Sequence, residues 1–327
     1  MLFFLTDLLT LGCINAIMVV SLNVQYGFAG ILNVSQYMYV AIGAYVAGVT
    51  TMGRPTVPGN TWAPGWTLPW YLGLVLAGVV ASGLGVVIFL FTVRRLRMDY
   101  LAIVTVASAY IIWNLIDTNY GLFNGDTGIF GVPYITGNAN LSTEQYSGVV
   151  LAVAAVILGL FVWVSRRIFR SPYGRVLRGI REDEVITTAF GRTSWRAQLW
   201  VFVIGCFMAG VGGGLLIFYI TAWSPAAWLP IESFALFSAL VIGGSGNYWG
   251  AVFGGFLVLE GILELVRFLP SFGDPAAAGA FRLLLVGVLL IAILRYRPEG
   301  VIPERWLRWY GAPARRLWGR LRPGVSE

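Results

Sequence analysis

Residues 70–92 read WYLGLVLAGVVASGLGVVIFLFT, 23 positions without a charge, and Val93-Arg94-Arg95-Leu96-Arg97 follows with three arginines. About 20 apolar residues are what an α-helix needs to cross ~30 Å of hydrocarbon, and arginines gather at the cytoplasmic ends of such helices. A soluble core could bury one run of this kind, but it has no use for nine. Comparable runs lie at about 8–26, 31–51, 70–92, 99–116, 147–165, 197–220, 231–245, 250–269 and 280–294. The expected fold class is all-α: a polytopic transmembrane helix bundle of about nine spanning segments.

Composition supports this and removes several function classes. Of 327 residues, 58% are hydrophobic and 11% charged, with a mean hydropathy of +0.77. Soluble domains carry roughly 25% charged residues. All 22 basic residues are arginine, and lysine and histidine are absent. Without histidine the chain lacks the commonest general base near neutral pH, the imidazole metal ligand, and any Ser-His or Cys-His nucleophile pair. Without lysine it cannot form a Walker A phosphate loop. Cys13 and Cys206 lie far apart inside apolar runs and read as small hydrophobes. No catalytic residues, metal or cofactor are expected. The pI of 9.6 does not point to nucleic acid, because the arginines flank apolar runs.

Nineteen of the 22 arginines fall in three blocks, within 94–97, 166–196 and 295–322. Alternating crossings put all three on one side, which is then the cytoplasm. Nine crossings place the N-terminus outside and the C-terminus inside. The expected organisation is a transmembrane domain over 1–304, with a cytoplasmic loop at 166–196, followed by a basic cytoplasmic tail at 305–327. Residues 8–26 read as a retained helix, since no basic residue or small-residue cleavage site marks a signal peptide. Trp62, Trp66, Trp70 and Tyr71 read as an interfacial belt. Gly43–Ala47, Gly78–Ser82, Gly210–Gly214 and Gly250–Gly254 have the spacing that lets membrane helices approach closely.

Three stretches carry more than fold. In Ser21 to Gln36, the polar residues Asn23, Gln25, Asn33, Ser35 and Gln36 and the glycines Gly27 and Gly30 interrupt apolar sequence. They read either as a broken helix beside a translocation path or as a short cytoplasmic turn between the first two helices. In Arg170 to Gly191, Pro172 opens a helix and Gly191 can end one. Arginines come early (Arg175, Arg178, Arg181) and acids follow, an order that opposes the helix dipole. An amphipathic helix docked in a partner's groove would account for it, and so would a solvated loop. Finally, Glu232, Glu260 and Glu264 are acids within apolar runs. Arg267 is placed to pair with Glu264, while Glu260 reads as a structural pair or as part of a path.

Taken in order, five blocks resemble the membrane subunits of bacterial branched-chain amino acid ABC importers. They are Ser21 to Gln36 followed by Ala41 to Tyr45, Asp99 to Thr105, Arg170 to Gly191, Val241 to Gly250, and Arg297-Pro298-Glu299-Gly300. The resemblance implies a multi-pass inner-membrane permease subunit that is not itself an enzyme. Its implied partners are a second related permease, two ATP-binding subunits and a solute-binding protein. The loop with Arg175, Arg178, Arg181, Glu184, Thr187, Thr188 and Gly191 looks like the family's ATPase-coupling segment, with threonines where small residues are more usual. The superfamily also includes urea and short-chain amide importers. An ion-coupled secondary transporter working alone through Glu232 or Glu260 is the rival from another class.

Overall fold

The computed structural model describes residues 2–53, 65–92, 98–120, 124–137, 142–189, 194–267, 275–297 and 299–304. Arg54, Trp62, the arginines at 94–97 and the tail at 305–327 lie outside these residues.

Helix occurs in each of the nine runs. The rods are α1 (Leu2–Leu22), α2 (Gln36–Thr51), α3 (Trp70–Phe91), α4 (Met98–Thr118), α5 (Thr143–Arg170), α8 (Ser194–Ile220), α9 (Glu232–Gly243) and α12 (Pro275–Tyr296). Another is assembled from α10 (Tyr248–Gly254), a stretch of π-helix (Gly255–Gly261) and α11 (Ile262–Arg267). Between α5 and α8 lie two short helices, α6 (Pro172–Glu182) and α7 (Glu184–Ala189). Among the described residues, six helices are long and apolar enough to cross a membrane: 4–27, 70–91, 100–118, 143–170, 194–220 and 225–243. α2, with 16 residues, spans only about 24 Å at 1.5 Å per residue.

α5 extends four residues earlier and five later than its apolar run because caps, not hydropathy, set its ends. Ser142 accepts from Gln145 N while the Gln145 side chain returns to Ser142 N, a reciprocal capping box. Ser171 then adopts extended geometry, closing α5 and capping α6.

α8 is the axis of the bundle, packed by α1, α2 and α3, and most of its residues are buried. The small residues read from sequence explain how close that packing is. A Cβ on Gly213 would lie 1.8 Å from the Val40 carbonyl oxygen, and one on Gly43 would lie 2.1 Å from that of Gly210. α2 and α8 thus touch backbone to backbone, which only glycine permits. The outward faces of α3 and α4 instead expose Val75, Val79, Ile103 and Ile111, an apolar surface suited to lipid.

At one end of the bundle the α4–α5 and α8–α9 connections pair as a short antiparallel ribbon, β1 (Ile129–Phe130) with β2 (Ala222–Trp223). There Trp113 Nε1 donates to the Pro225 carbonyl at 3.0 Å. At the other end lie α6, α7 and the turns after α1 and α9.

Gly213→Ala should lower the stability of the detergent-solubilised protein by about 2 kcal/mol. Gly83→Ala and Gly159→Ala, where an added Cβ meets nothing within 4 Å, should leave the melting temperature unchanged or slightly raised, since alanine is the better helix former. Equal effects at the three positions would contradict the backbone contact.

Candidate functional site

The first rod breaks where the amides and glycines cluster. α1 passes into a turn of π-helix at Asn23–Gly27, and the chain leaves helical geometry at Gly30, whose φ is +72°. Residues 30–35 carry no helix, yet Ile31, Asn33, Val34 and Ser35 are buried. Irregular backbone at this depth persists only when protein encloses it and supplies hydrogen bonds.

The supply comes from the stretch itself. Ser21, Asn23, Gln25, Asn33, Ser35 and Gln36 are all fully buried. Asn33 Nδ2 donates to Gln25 Oε1 at 2.7 Å and to Gln36 Oε1 at 3.0 Å. Asn33 Oδ1 accepts from Ser35 Oγ and Ser35 N, and Gln36 Nε2 donates to Ser21 Oγ at 2.7 Å. Gln25 Nε2 reaches the Phe202 carbonyl of α8 at 3.3 Å. Gln25, Asn33 and Gln36 thus find partners inside the bundle, and the network ties the two ends of the break together.

Asn23 points elsewhere, to the turn between α9 and α10. Its Oδ1 accepts from Gly246 N at 2.9 Å. A Cβ on Gly27 would lie 2.0 Å from that same Oδ1 and 2.6 Å from Gly246 N, so this contact requires glycine at 27. The turn is also braced by the chain after α12: Val301 N donates to the Ile242 carbonyl and Ile302 N to the Gly243 carbonyl, at 2.9 and 3.0 Å.

Arg181 joins these pieces. Its Nη1 donates to the Gly27 carbonyl, and its Nη2 meets Glu304 Oε2 at 2.9 Å. The Arg181 side chain is a quarter exposed and that of Glu304 is 7% exposed. One guanidinium therefore bridges the broken helix and the segment after α12, with its stem packed against Gly30. A planar fork of donors can serve two acceptors at once in a way that a single ammonium cannot.

Arg181 is aimed inward by the split of its own segment. Asp183 is extended (φ −155°, ψ 109°), so α6 ends and α7 begins there. Asp183 Oδ1 accepts from Ile186 N at 3.0 Å, as a cap does. The charge order that opposes the dipole of one long helix favours two short ones. Arg181 occupies the last turn of α6, and Asp183 and Glu184 stand at the start of α7. Leu177 and Ile180 are buried on the same side of α6 as Arg181. Tyr173 donates to the Ala197 carbonyl of α8 at 2.7 Å; burial pushes its hydroxyl up to about 12, so it stays a donor at neutral pH.

A family model described as "Branched-chain amino acid transport system / permease component" matches residues 4–294. The chain belongs to that family. It is 28% identical to the probable branched-chain amino acid transport permease protein LivM of Methanocaldococcus jannaschii, over 87% of this chain and 89% of that one. It is also 28% identical to LivM of Escherichia coli K12, over 91% of this chain and 69% of the relative. Against the LivH permease of the same bacterium it is 26% identical, over 90% and 92%. No solved structure matches.

The remaining sequence-read positions of the permease separate. Arg178 lies over the Phe169 ring at 4.5 Å, and Arg175 is exposed beside it. Glu184 accepts from Ser194 Oγ at 2.9 Å, and Thr187 Oγ1 donates to the Asp183 carbonyl. Gly191 and the side chains of Thr188 and Arg267 lie outside the described residues. Glu260 is not part of the amide network. It sits in the π-helix between α10 and α11, 2% exposed, and accepts from Asn15 Nδ2 of α1 at 3.0 Å.

Sequence reasoning passed over Asn15 and Glu304. Asn15 carried the same signal as Asn23, an amide within an apolar run. Glu304 follows the Arg297 to Gly300 block, just before the arginines of the tail.

Arg181→Ala should cost about 2 kcal/mol of stability by leaving Glu304 buried without its cation. Arg181→Ala/Glu304→Ala should cost less than the two single changes together, as read from thermal unfolding. Additive losses would show that the pair does not act as a unit.

Proposed function

We propose that this permease is the membrane-spanning subunit of an ATP-driven importer for branched-chain or related amino acids. The observation that carries the reading is the convergence on Arg181. The α6 segment, the broken end of α1, the α9–α10 turn and the chain after α12 are far apart in sequence and meet around one guanidinium. The family assignment favours this reading over a urea or amide permease and over an ion-coupled carrier. The proposed topology has nine crossings, N-terminus outside and C-terminus cytoplasmic, in a plasma membrane. The broken first rod and α9 with its preceding turn count among the crossings.

A chain without lysine needs its ATPase on a separate subunit. The proposed assembly adds two ATP-binding subunits, a second related permease and a solute-binding protein that selects the cargo. The docking surface is the junction of α6 and α7, where Glu182, Asp183 and Ile186 are exposed at the tip. Thr187, Thr188 and Gly191 continue that segment. Movement of α6 is delivered through Arg181 to the Gly27 carbonyl and Glu304, because close-packed interiors pass displacement on rather than absorb it.

Asn23, Gln25, Gly27, Gly30, Asn33 and Gln36 are then the parts of the path that rearrange, and Glu260 with Asn15 borders it at depth. Asn33, Gln25 and Gln36 are tied to one another, whereas the buried Nδ2 of Asn23 has no partner among the described residues.

Two results would test this reading. Ile186→Asp should abolish capture of the partner ATPase in a pull-down while the permease still inserts. Arg181→Ala should retain the ATPase and its hydrolysis but lose uptake by on the order of tenfold. Uptake of labelled leucine by vesicles holding this chain alone would overturn the subunit assignment.

A further inference from the structure

A second group of arginines lies to the side of the Arg181 junction. Between the α5–α6 corner and the start of α10 is a cavity of 510 Å³ whose lining includes Arg170, Arg175, Arg178, Trp249 and Glu304. The lining brings three guanidiniums and one carboxylate, and Glu304 is bound to Arg181 at 2.9 Å. The cavity therefore selects for an anion. Arg178 is steadied by the Phe169 ring beneath it, so part of the side-chain ordering that a ligand requires is already done.

Its height in the bundle says which anion. The apolar run of α5 ends at Ser165, and Arg170 occupies the last turn of that helix, where hydrocarbon gives way to headgroups. Trp249, 57% exposed, stands on the rim with the Tyr248 ring 5.8 Å away. Exposed indole beside arginine at the end of spanning helices is the side-chain combination of the membrane interface. The cavity is larger than a lone phosphate requires and leaves room for a glycerol. The acidic and apolar tip at Glu182 to Ile186, offered above to a protein partner, is a separate part of the segment.

We propose that this cavity holds the phosphodiester headgroup of an anionic phospholipid, with Arg170, Arg175 and Arg178 as its ligands and Trp249 against the glycerol. Basic pockets beside membrane helices bind such headgroups through short-range attraction to several guanidiniums at once. The site does not depend on what the permease carries.

The full-length chain, purified from membranes, would be placed in phosphatidylcholine nanodiscs with graded phosphatidylglycerol, and retained lipid read by native mass spectrometry. Wild type should retain phosphatidylglycerol against an excess of inorganic phosphate. Arg175→Ala/Arg178→Ala should weaken retention on the order of 30-fold. Arg166→Ala/Arg167→Ala removes equal charge from the end of α5 outside the cavity and should weaken retention clearly less than the cavity variant does. Arg175→Glu alters one exposed side chain without disturbing the core and should also weaken retention, which separates ligand loss from misfolding.

Equal losses in the two double variants would reduce the effect to diffuse surface charge and overturn the site. Displacement by inorganic phosphate would make it a small-anion site instead. Unchanged lipid retention with loss of the partner ATPase would make these arginines a protein contact, which also overturns the proposal.

Discussion

A carbonyl freed by a helix break needs a donor, and leaving it unmet within protein costs on the order of 1–3 kcal/mol. At Gly27 the donor comes from a helix about 150 residues later in the chain, on the side chain of Arg181. That single demand orders much of the surrounding structure. It holds α6 against the bundle, requires glycine at 27 so that Asn23 and Gly246 can approach, and draws in Glu304 to balance the guanidinium. The break and the segment that reaches it are therefore one structural unit.

The helical rods were legible because hydropathy is a bulk property. A long run with few charges has few alternatives to burial in protein or lipid, and each of the nine runs contains helix. Their ends were less legible. Ser142 and Ser171 set the limits of α5 through backbone hydrogen bonds that no apolar count registers. α9 stops at Gly243, two residues before the end of its run, because Gly244 at φ +119° turns the chain.

For the site, residue types gave the location and withheld the wiring. Glycines among amides marked the break correctly. Nothing in their spacing says that Asn33 bonds Gln25 and Gln36 while Asn23 turns to a different helix pair. The charge order of Arg175 to Glu184 looked unfavourable only on the assumption of one helix. Asp183, extended and capping, divides it and reverses the sign of the argument. The inward aim of Arg181 depends on which side of α6 faces the bundle, and its partner Glu304 lies beyond the last apolar run. Both are long-range facts that local pattern cannot hold.

The two stretches of π-helix, Asn23–Gly27 and Gly255–Gly261, have a geometric consequence. A π turn stores one residue more than an α turn. Releasing it would rotate everything beyond by about 100° and shift it by about 1.5 Å along the axis. α1 packs against the second stretch, so the rods bearing Asn15 and Glu260 both contain such a stored residue. The α2–α8 pair, locked by Gly43 and Gly213, has no such slack. The bundle thus sets a glycine-locked pair beside two rods that each hold an extra residue in one turn.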